Sequence, residues 1–273
     1  MPLRTDFSRS ASRYDEAAVL ARESGQRMAE RLDLVKLEPR RIADVGCATG
    51  DGLRELQQRY PKAQALAVDY ARPMLAQVRS RNSFWRRLRG QSPLLINADV
   101  NALPLAGGSL GLVWSNLMLQ WLDDPLPAFK ELNRVLEVDG LLMFATLGPD
   151  TLKELRAAAA KVGAGDTARR FIDMHDLGDM LVGAGFADPV MDMELIRFRY
   201  RNPRQFLADQ RHLGVRDALL GTNSWRDWRR TFTAATDADG ALELSIELVF
   251  GHAWKAAPRQ AADGRSVIRF HSR

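Results

Sequence analysis

Only one cysteine, Cys47, stands in the 273 residues. That excludes an internal disulfide framework and a cysteine-rich metal site. The four histidines, His175, His212, His252 and His271, are scattered. None falls at a ligand spacing such as H-E-x-x-H, so no metal is expected. No apolar run reaches the roughly 18 residues that a membrane helix needs, and Met1-Pro2-Leu3-Arg4-Thr5-Asp6 lacks the apolar stretch of a secretory signal. We therefore expect no membrane segment and a soluble, cytoplasmic protein. Acidic residues are missing between Asp69 and Asp99, where Arg72, Arg79, Arg81, Arg86, Arg87 and Arg89 fall. In a chain of net charge +5 this interval is electropositive. Phe84 and Trp85 within it suit a contact surface, and a solvated helix end and loop is the ordinary alternative.

With 46% apolar residues the chain can bury one sizeable core. Residues 41 to 146 alternate apolar runs with amphipathic stretches, the pattern of β-α units and a mostly parallel sheet. Expected strands are Arg41 to Val45, Ala63 to Asp69, Leu94 to Ala98, Leu110 to Ser115 and Leu141 to Thr146. Helices are expected over Gly52 to Arg59, Arg72 to Ser80 and Pro125 to Leu136, with Asp139-Gly140 turning into the fifth strand. Beyond it, Pro149-Asp150-Thr151-Leu152 opens a helix, and His175 to Gly185 forms another. Val190 to Tyr200 and Leu242 to Trp254 are the last strands. The expected fold class is α/β, a doubly wound Rossmann-like sheet, mostly parallel with an antiparallel last strand, plus helical lid insertions. One domain should span 1–254, with a leading lid helix within 1–35 (Asp15 to Leu32), a core over 36–200, a lid insertion over 201–240 that includes a helix from Pro203 to Gly214, and a last strand over 241–254. The tail 255–273 should be poorly ordered.

The loop Asp44-Val45-Gly46-Cys47-Ala48-Thr49-Gly50 runs from strand to helix, a general nucleotide-binding device. A dinucleotide fingerprint would need glycines at 46, 48 and 51, where the chain has Gly46, Ala48 and Asp51. A Walker loop fails as well, because no Gly-Lys-Ser/Thr follows. Asp-x-Gly-x-x-x-Gly remains, and S-adenosylmethionine explains it, since that molecule has no pyrophosphate but carries an ammonium, a carboxylate and a ribose diol. Asp44 is then expected at the amino group and Asp69, ending the second strand, at the ribose hydroxyls. Ala98, Asp99 and Val100 should meet the adenine, and Ser115, Asn116 and Leu117 the methionine end. Cys47, Tyr70, Met74 and Gln120 complete the expected cofactor set. Asp44 and Asp69 have an alternative as helix caps or turn formers, and Cys47 as a small packing residue. Trp114, Met118 and Trp121 read as core and pocket wall.

These motifs, with Leu103-Pro104-Leu105 and the segment Trp114 to Trp121, resemble class I methyltransferases of the ubiquinone/biotin type. Over nearly its whole length the chain is similar to the malonyl-[acyl-carrier protein] O-methyltransferase family of biotin synthesis. The more specific segments are Phe7 to Asp15, Thr146 to Leu155 and Arg170 to Leu177. The resemblance implies methylation of the free carboxylate of malonyl-acyl carrier protein, giving S-adenosylhomocysteine, with the carrier as partner, no nucleic acid, no membrane and a monomeric state. It implies acceptor-side roles for Tyr14, Arg170 and Gln120, against a surface ion pair of Arg170 with Asp173 or Asp166. Ala48 departs from the family's usual glycine, and 217–239 looks shorter than in the family. A methyltransferase-like complex I assembly factor, associated with arginine modification, shares the Gly-Pro-Asp-Thr-Leu stretch. An RNA methyltransferase would suit the basicity, but Ser115-Asn116-Leu117-Met118 is not its Asn/Asp-Pro-Pro-Tyr/Phe motif.

Overall fold

Apolar runs become strands here because a parallel sheet covered by helices buries both faces of its central strands. The computed structural model describes residues 2–82, 92–165, 168–221 and 224–257. Its seven strands are β1 (Arg41–Val45), β2 (Gln64–Asp69), β3 (Leu94–Asn97), β4 (Leu110–Asn116), β5 (Leu136–Leu147), β6 (Phe186–Tyr200) and β7 (Leu242–Lys255). They lie in the order β3-β2-β1-β4-β5-β7-β6. The first five run parallel, and β7 is antiparallel to both β5 and β6. The expected doubly wound sheet with an antiparallel last strand is therefore present. Its strand order reverses between β1 and β4, and such a reversal opens a crevice at the carboxyl ends of the strands.

Alternation along each strand sends neighbouring residues to opposite faces. On one face Ile42, Leu112, Trp114 and Met143 pack with Met28 and Leu32 of helix α3 (Val19–Leu32) and Leu53 and Leu56 of α4 (Asp51–Arg59). On the other, Ala43, Val113 and Phe144 meet Phe129 and Leu132 of α6 (Leu126–Val135) and Leu181 of α8 (Met174–Gly183). The spacing of Ala128, Phe129, Leu132 and Val135 gives α6 one apolar stripe. The first face also takes α5 (Arg72–Arg81), after β2, through Leu75 and Val78, and α7 (Lys153–Lys161), after β5, through Leu155.

Helices surplus to the sheet cover its carboxyl edge. They are α1 (Pro2–Ser10) and α2 (Tyr14–Ala17) before α3, and α9 (Pro203–Leu213), α10 (Arg216–Leu220) and α11 (Trp225–Ala235) between β6 and β7. The expected single helix from Asp15 to Leu32 breaks at Ala18, whose ψ of 31° is not helical, and this turns Tyr14 and Asp15 toward the glycine loop. Asn202 caps α9 by accepting the Gln205 N–H at 3.1 Å, and Gly214 ends it with φ of 74°. A Cβ at Gly214 would lie 2.6 Å from Ser10 Oγ, so the end of α9 closes against α1.

Two strands begin earlier than expected. β5 starts at Leu136, because the Asp139-Gly140 turn is a bulge within the ladder: Leu110 pairs with Leu136 and Leu112 with Leu141. β6 starts at Phe186 and shifts register between Ala187 and Val190, around Pro189, which has no N–H to give. The strand of the tail reaches Lys255, and residues 258–273 lie outside the described residues.

The Thr146 to Leu155 segment is a clasp on β7. Gly148 and Leu152 donate their N–H groups to Glu247 O and Ser245 O at 2.9 and 2.7 Å. Glu154 accepts both the N–H and the hydroxyl of Ser245, at 2.9 and 2.6 Å. Ser245 is buried, so truncating Glu154 strands its donors away from water. Glu154→Ala is expected to cost about 2 kcal/mol, the scale of losing a buried charge-assisted hydrogen bond. Urea denaturation should show a lower midpoint at unchanged slope.

Candidate active site

The carboxyl ends of β1, β2, β3 and β4 open into a cavity of about 930 Å3 roofed by α1, α2 and α9. Three close approaches shape its floor. A Cβ on Gly46, whose φ is 78°, would sit 2.5 Å from Met118 Cγ. One on Gly52 would lie 2.8 Å from Trp114 Nε1 and 3.0 Å from Asp44 Oδ2. Gly50, at φ of 91°, starts α4 and packs on Val78. Glycine at 46 and 50 is thus required by conformation, and at 52 by the space between indole and carboxylate.

Asp44 is 3% exposed and stands opposite Trp114 in the β1–β4 register. Burial, with the charge of Asp69 added, pushes its pKa up to about 8 against a stabilising N–H from Leu53. Asp69 accepts the Ala71 N–H on Oδ1 at 2.7 Å and the Ala48 N–H on Oδ2 at 3.0 Å. Burial nonetheless raises its pKa to about 6. Trp114 Nε1 is buried with no partner among the described residues, at the wall of the cavity. The site therefore offers two carboxylates, one orphaned N–H and a glycine cradle. S-adenosylmethionine fits that donor set: a cationic centre and a diol suit the carboxylates, and an acceptor atom suits the indole.

Asp44, Gly46, Cys47, Ala48, Asp69, Tyr70, Met74, Ala98, Asp99, Val100, Asn116, Leu117 and Gln120 all border the cavity, as does Tyr14. Three other residues of the expected set lie off the cavity wall. Gly50 shapes the loop without facing the cavity. Ser115 is fully buried and donates to Val45 O at 2.9 Å, because alternation along β4 points it into the sheet. Arg170 is exposed and does not border the cavity, since it precedes α8 on the outer side of the fold. Among the bordering residues, Asn116 spends its amide on α3, donating to Ala21 O at 2.7 Å and accepting from Ser24 Oγ at 2.5 Å. Gln120 donates to Leu117 O at 2.7 Å and faces Thr146 Oγ1 at 3.3 Å. Burial pushes the Cys47 thiol well up, so it stays protonated and packs.

Sequence reasoning missed the tether that sets Tyr14. Its neighbour Asp15 accepts from Thr49 Oγ1 at 2.6 Å and pairs with Arg81 of α5, which also reaches Thr49 O at 3.3 Å. The only available signal was adjacency to Tyr14. The tether removes Arg81 from the basic surface. Arg72 and Arg79 are exposed, and Phe84, Trp85, Arg86, Arg87 and Arg89 lie outside the described residues. The same cavity has an apolar lobe of wall, formed by Phe198, Tyr200, Phe206, Leu213, Leu244 and Ile246. Among the described residues no helix is long and apolar enough to cross a membrane.

A sheet of this order with its cavity at the β1–β4 reversal, and carboxylates ending β1 and β2, defines a class I S-adenosylmethionine-dependent methyltransferase. Residues 43–144 match the family model described as a methyltransferase domain. The YcgJ protein of Bacillus subtilis superposes with a TM-score of 0.61 at 11% identity, covering 86% of this chain and 99% of its own. The Haemonchus contortus phosphoethanolamine N-methyltransferase 2, solved with S-adenosyl-L-methionine, gives 0.54 at 16% identity over 86% of this chain and 53% of its own. These likenesses show the fold. The chain is 47% identical to the malonyl-[acyl-carrier protein] O-methyltransferase of Gallionella capsiferriformans, over 98% of this chain and 94% of that one. It is 46% identical to that of Laribacter hongkongensis, over 98% and 95%. It belongs to the malonyl-[acyl-carrier protein] O-methyltransferase family.

The raised carboxyl pKa values carry a definite sign. Folding lifts them above the ordinary value of about 4, so their contribution to the stability of the free protein is complete below about pH 4. It is lost as pH rises through about 6 for Asp69 and about 8 for Asp44. A cationic ligand favours the ionised carboxylates, so cofactor binding at pH 7 should release protons. Calorimetry in buffers of different ionisation enthalpy should detect that release in the wild type and a smaller one in Asp44→Asn. Equal release in both proteins would take Asp44 out of the account. Separately, Ala48 holds φ of 45°, in the left-handed region where a glycine is free of strain. Ala48→Gly should therefore raise stability by up to about 1 kcal/mol, read as a higher melting temperature.

Proposed function

We propose that the protein methylates the free carboxylate of a malonyl thioester carried on acyl carrier protein, the first step toward the pimeloyl chain of biotin. The observation that carries this reading is one continuous cavity that the two carboxylates, Tyr14 and an apolar lobe with lid residues all border. The names of the full-length relatives support the choice of acceptor. When bound, S-adenosylmethionine supplies an electrophilic methyl, whose bond to sulfur breaks as the bond to the acceptor oxygen forms. A carboxylate is already ionised at neutral pH, so the protein has no proton to remove. Its task is alignment and the exclusion of water.

Tyr14 suits that task. Burial, together with Asp69, Asp51 and Asp44, raises the phenol well above its ordinary pKa, so it is a hydrogen-bond donor and never a base. The Asp15 tether fixes it over the glycine loop. The Leu117 and Thr146 contacts hold Gln120 in the wall opposite the lid, as a positioning group. Exposed Arg72 and Arg79 on α5 give an acidic carrier a positive surface to approach, a field effect that salt weakens.

Transfer of labelled methyl to malonyl-carrier protein, compared with malonyl-CoA and with RNA, tests the acceptor. The expected order places the carrier-bound thioester first and RNA at background; preferred labelling of RNA overturns the reading. Tyr14→Phe should lower kcat roughly tenfold, equivalent to about 1.4 kcal/mol, with cofactor affinity unchanged.

A further inference from the structure

The lid contributes a polar side chain that the chemistry above leaves unused. Gln210 of α9 is 8% exposed and borders the cavity. Among the described residues its carboxamide has no hydrogen-bond partner. A buried amide left unmade costs about 1–3 kcal/mol, so such a group persists where water or a ligand satisfies it. Its platform is rigid. One turn earlier Phe206 packs edge-on against Tyr200 and Phe232, at centroid distances of 5.3 and 6.3 Å. At its other end the Gln210 carbonyl accepts the Val215 N–H at 3.0 Å. The same helix packs on α2, which carries Tyr14.

On the reading of the acceptor proposed above, we infer that Gln210 binds the malonyl carboxylate, donating to it from Nε2. A malonyl thioester presents a carboxylate and a thioester carbonyl, which both accept and neither donate. Nε2 brings two donors, and Arg170 stands outside the cavity. A neutral amide also suits the reaction better than a cation. It orients the attacking oxygen without neutralising it, and the positive charge of the bound cofactor supplies the attraction. The other polar groups of the lobe are less suited. Gln205 is exposed, with Oε1 taking the Arg201 N–H at 3.3 Å; Arg199 is exposed and paired with Asp237 at 2.9 Å; the Tyr200 phenol brings a single donor; and Asp209, whose pKa burial raises, has no donor for an anion once ionised.

The test is calorimetric binding of malonyl-carrier and acetyl-carrier protein to the enzyme held with S-adenosylhomocysteine, alongside turnover. Gln210→Leu should weaken malonyl-carrier binding roughly tenfold, about 1.4 kcal/mol, while acetyl-carrier and cofactor affinity stay unchanged. Gln210→Glu should lose more at pH 8, because it sets a charge against the carboxylate, and should regain part of the loss at pH 6. Melting temperatures near wild type confirm that both variants fold. Equal losses for malonyl and acetyl carriers, or no loss for either, overturn the inference and make Gln210 a part of the lid wall. A wild type that neither binds nor methylates malonyl-carrier overturns the acceptor reading itself, and this inference with it.

Discussion

Two carboxylates buried at one end of the sheet, with no cation paired to either among the described residues, are the constraint on which the site depends. Asp44, next to last in β1, and Asp69, last in β2, lie near the carboxyl ends of adjacent parallel strands, so the sheet itself holds both away from water. Among the described residues Asp69 is relieved by backbone N–H groups, and Asp44 by one from Leu53. Burial outweighs that help in both, as their raised pKa values show. A positively charged cofactor removes the conflict, and the glycines that let it approach have value only because the carboxylates are there. Binding affinity is built from a strain in the free protein that folding creates.

The lid is tied to the same place. Asp15 joins α2 to Thr49 in the glycine loop and to Arg81 on α5. Asn116 at the end of β4 is held by Ser24 and Ala21 of α3. On α3, Arg31 pairs with Glu194 of β6 and lies 3.9 Å above the Phe250 ring of β7. The N-terminal helices therefore span from the cofactor loop to the far side of the sheet. The tether holds Tyr14 against the glycine loop at the wall of the cavity.

The sequence disclosed what local pattern encodes. Strand ends after apolar runs located Asp44 and Asp69, and the failed dinucleotide spacing at 48 and 51 selected the cofactor class. Period-two alternation says that Ser115 and Asn116 point opposite ways, but a strand end gives no sign of which one faces the cavity; the bond from Ser115 to Val45 decides it. Arg170 is expected at the acceptor because its segment resembles the family; the structure sets it exposed and off the cavity wall, in a segment where Phe171 is buried and Asp173 caps α8 through the His175 N–H at 2.8 Å. Gln210 left no trace at all. It lies on an inserted helix whose relation to the sheet is set by packing, and no spacing along the chain links it to Tyr14.

The loops that line the cavity share a further property that links stability to shape. After β1, β4 and β5 a non-glycine residue sits in the left-handed region: Ala48 at φ of 45°, Leu117 at 52° and Leu152 at 61°. Each costs roughly 1 kcal/mol or more, Leu117 and Leu152 the most because of their bulk. All three donate their N–H to a fixed acceptor, namely Asp69 Oδ2, Ala145 O and Ser245 O. The strain is thus held by bonds to a neighbouring strand, and the loop has no cheap alternative conformation. A cavity framed this way is largely formed before any ligand arrives, so little ordering of these loops is subtracted from binding.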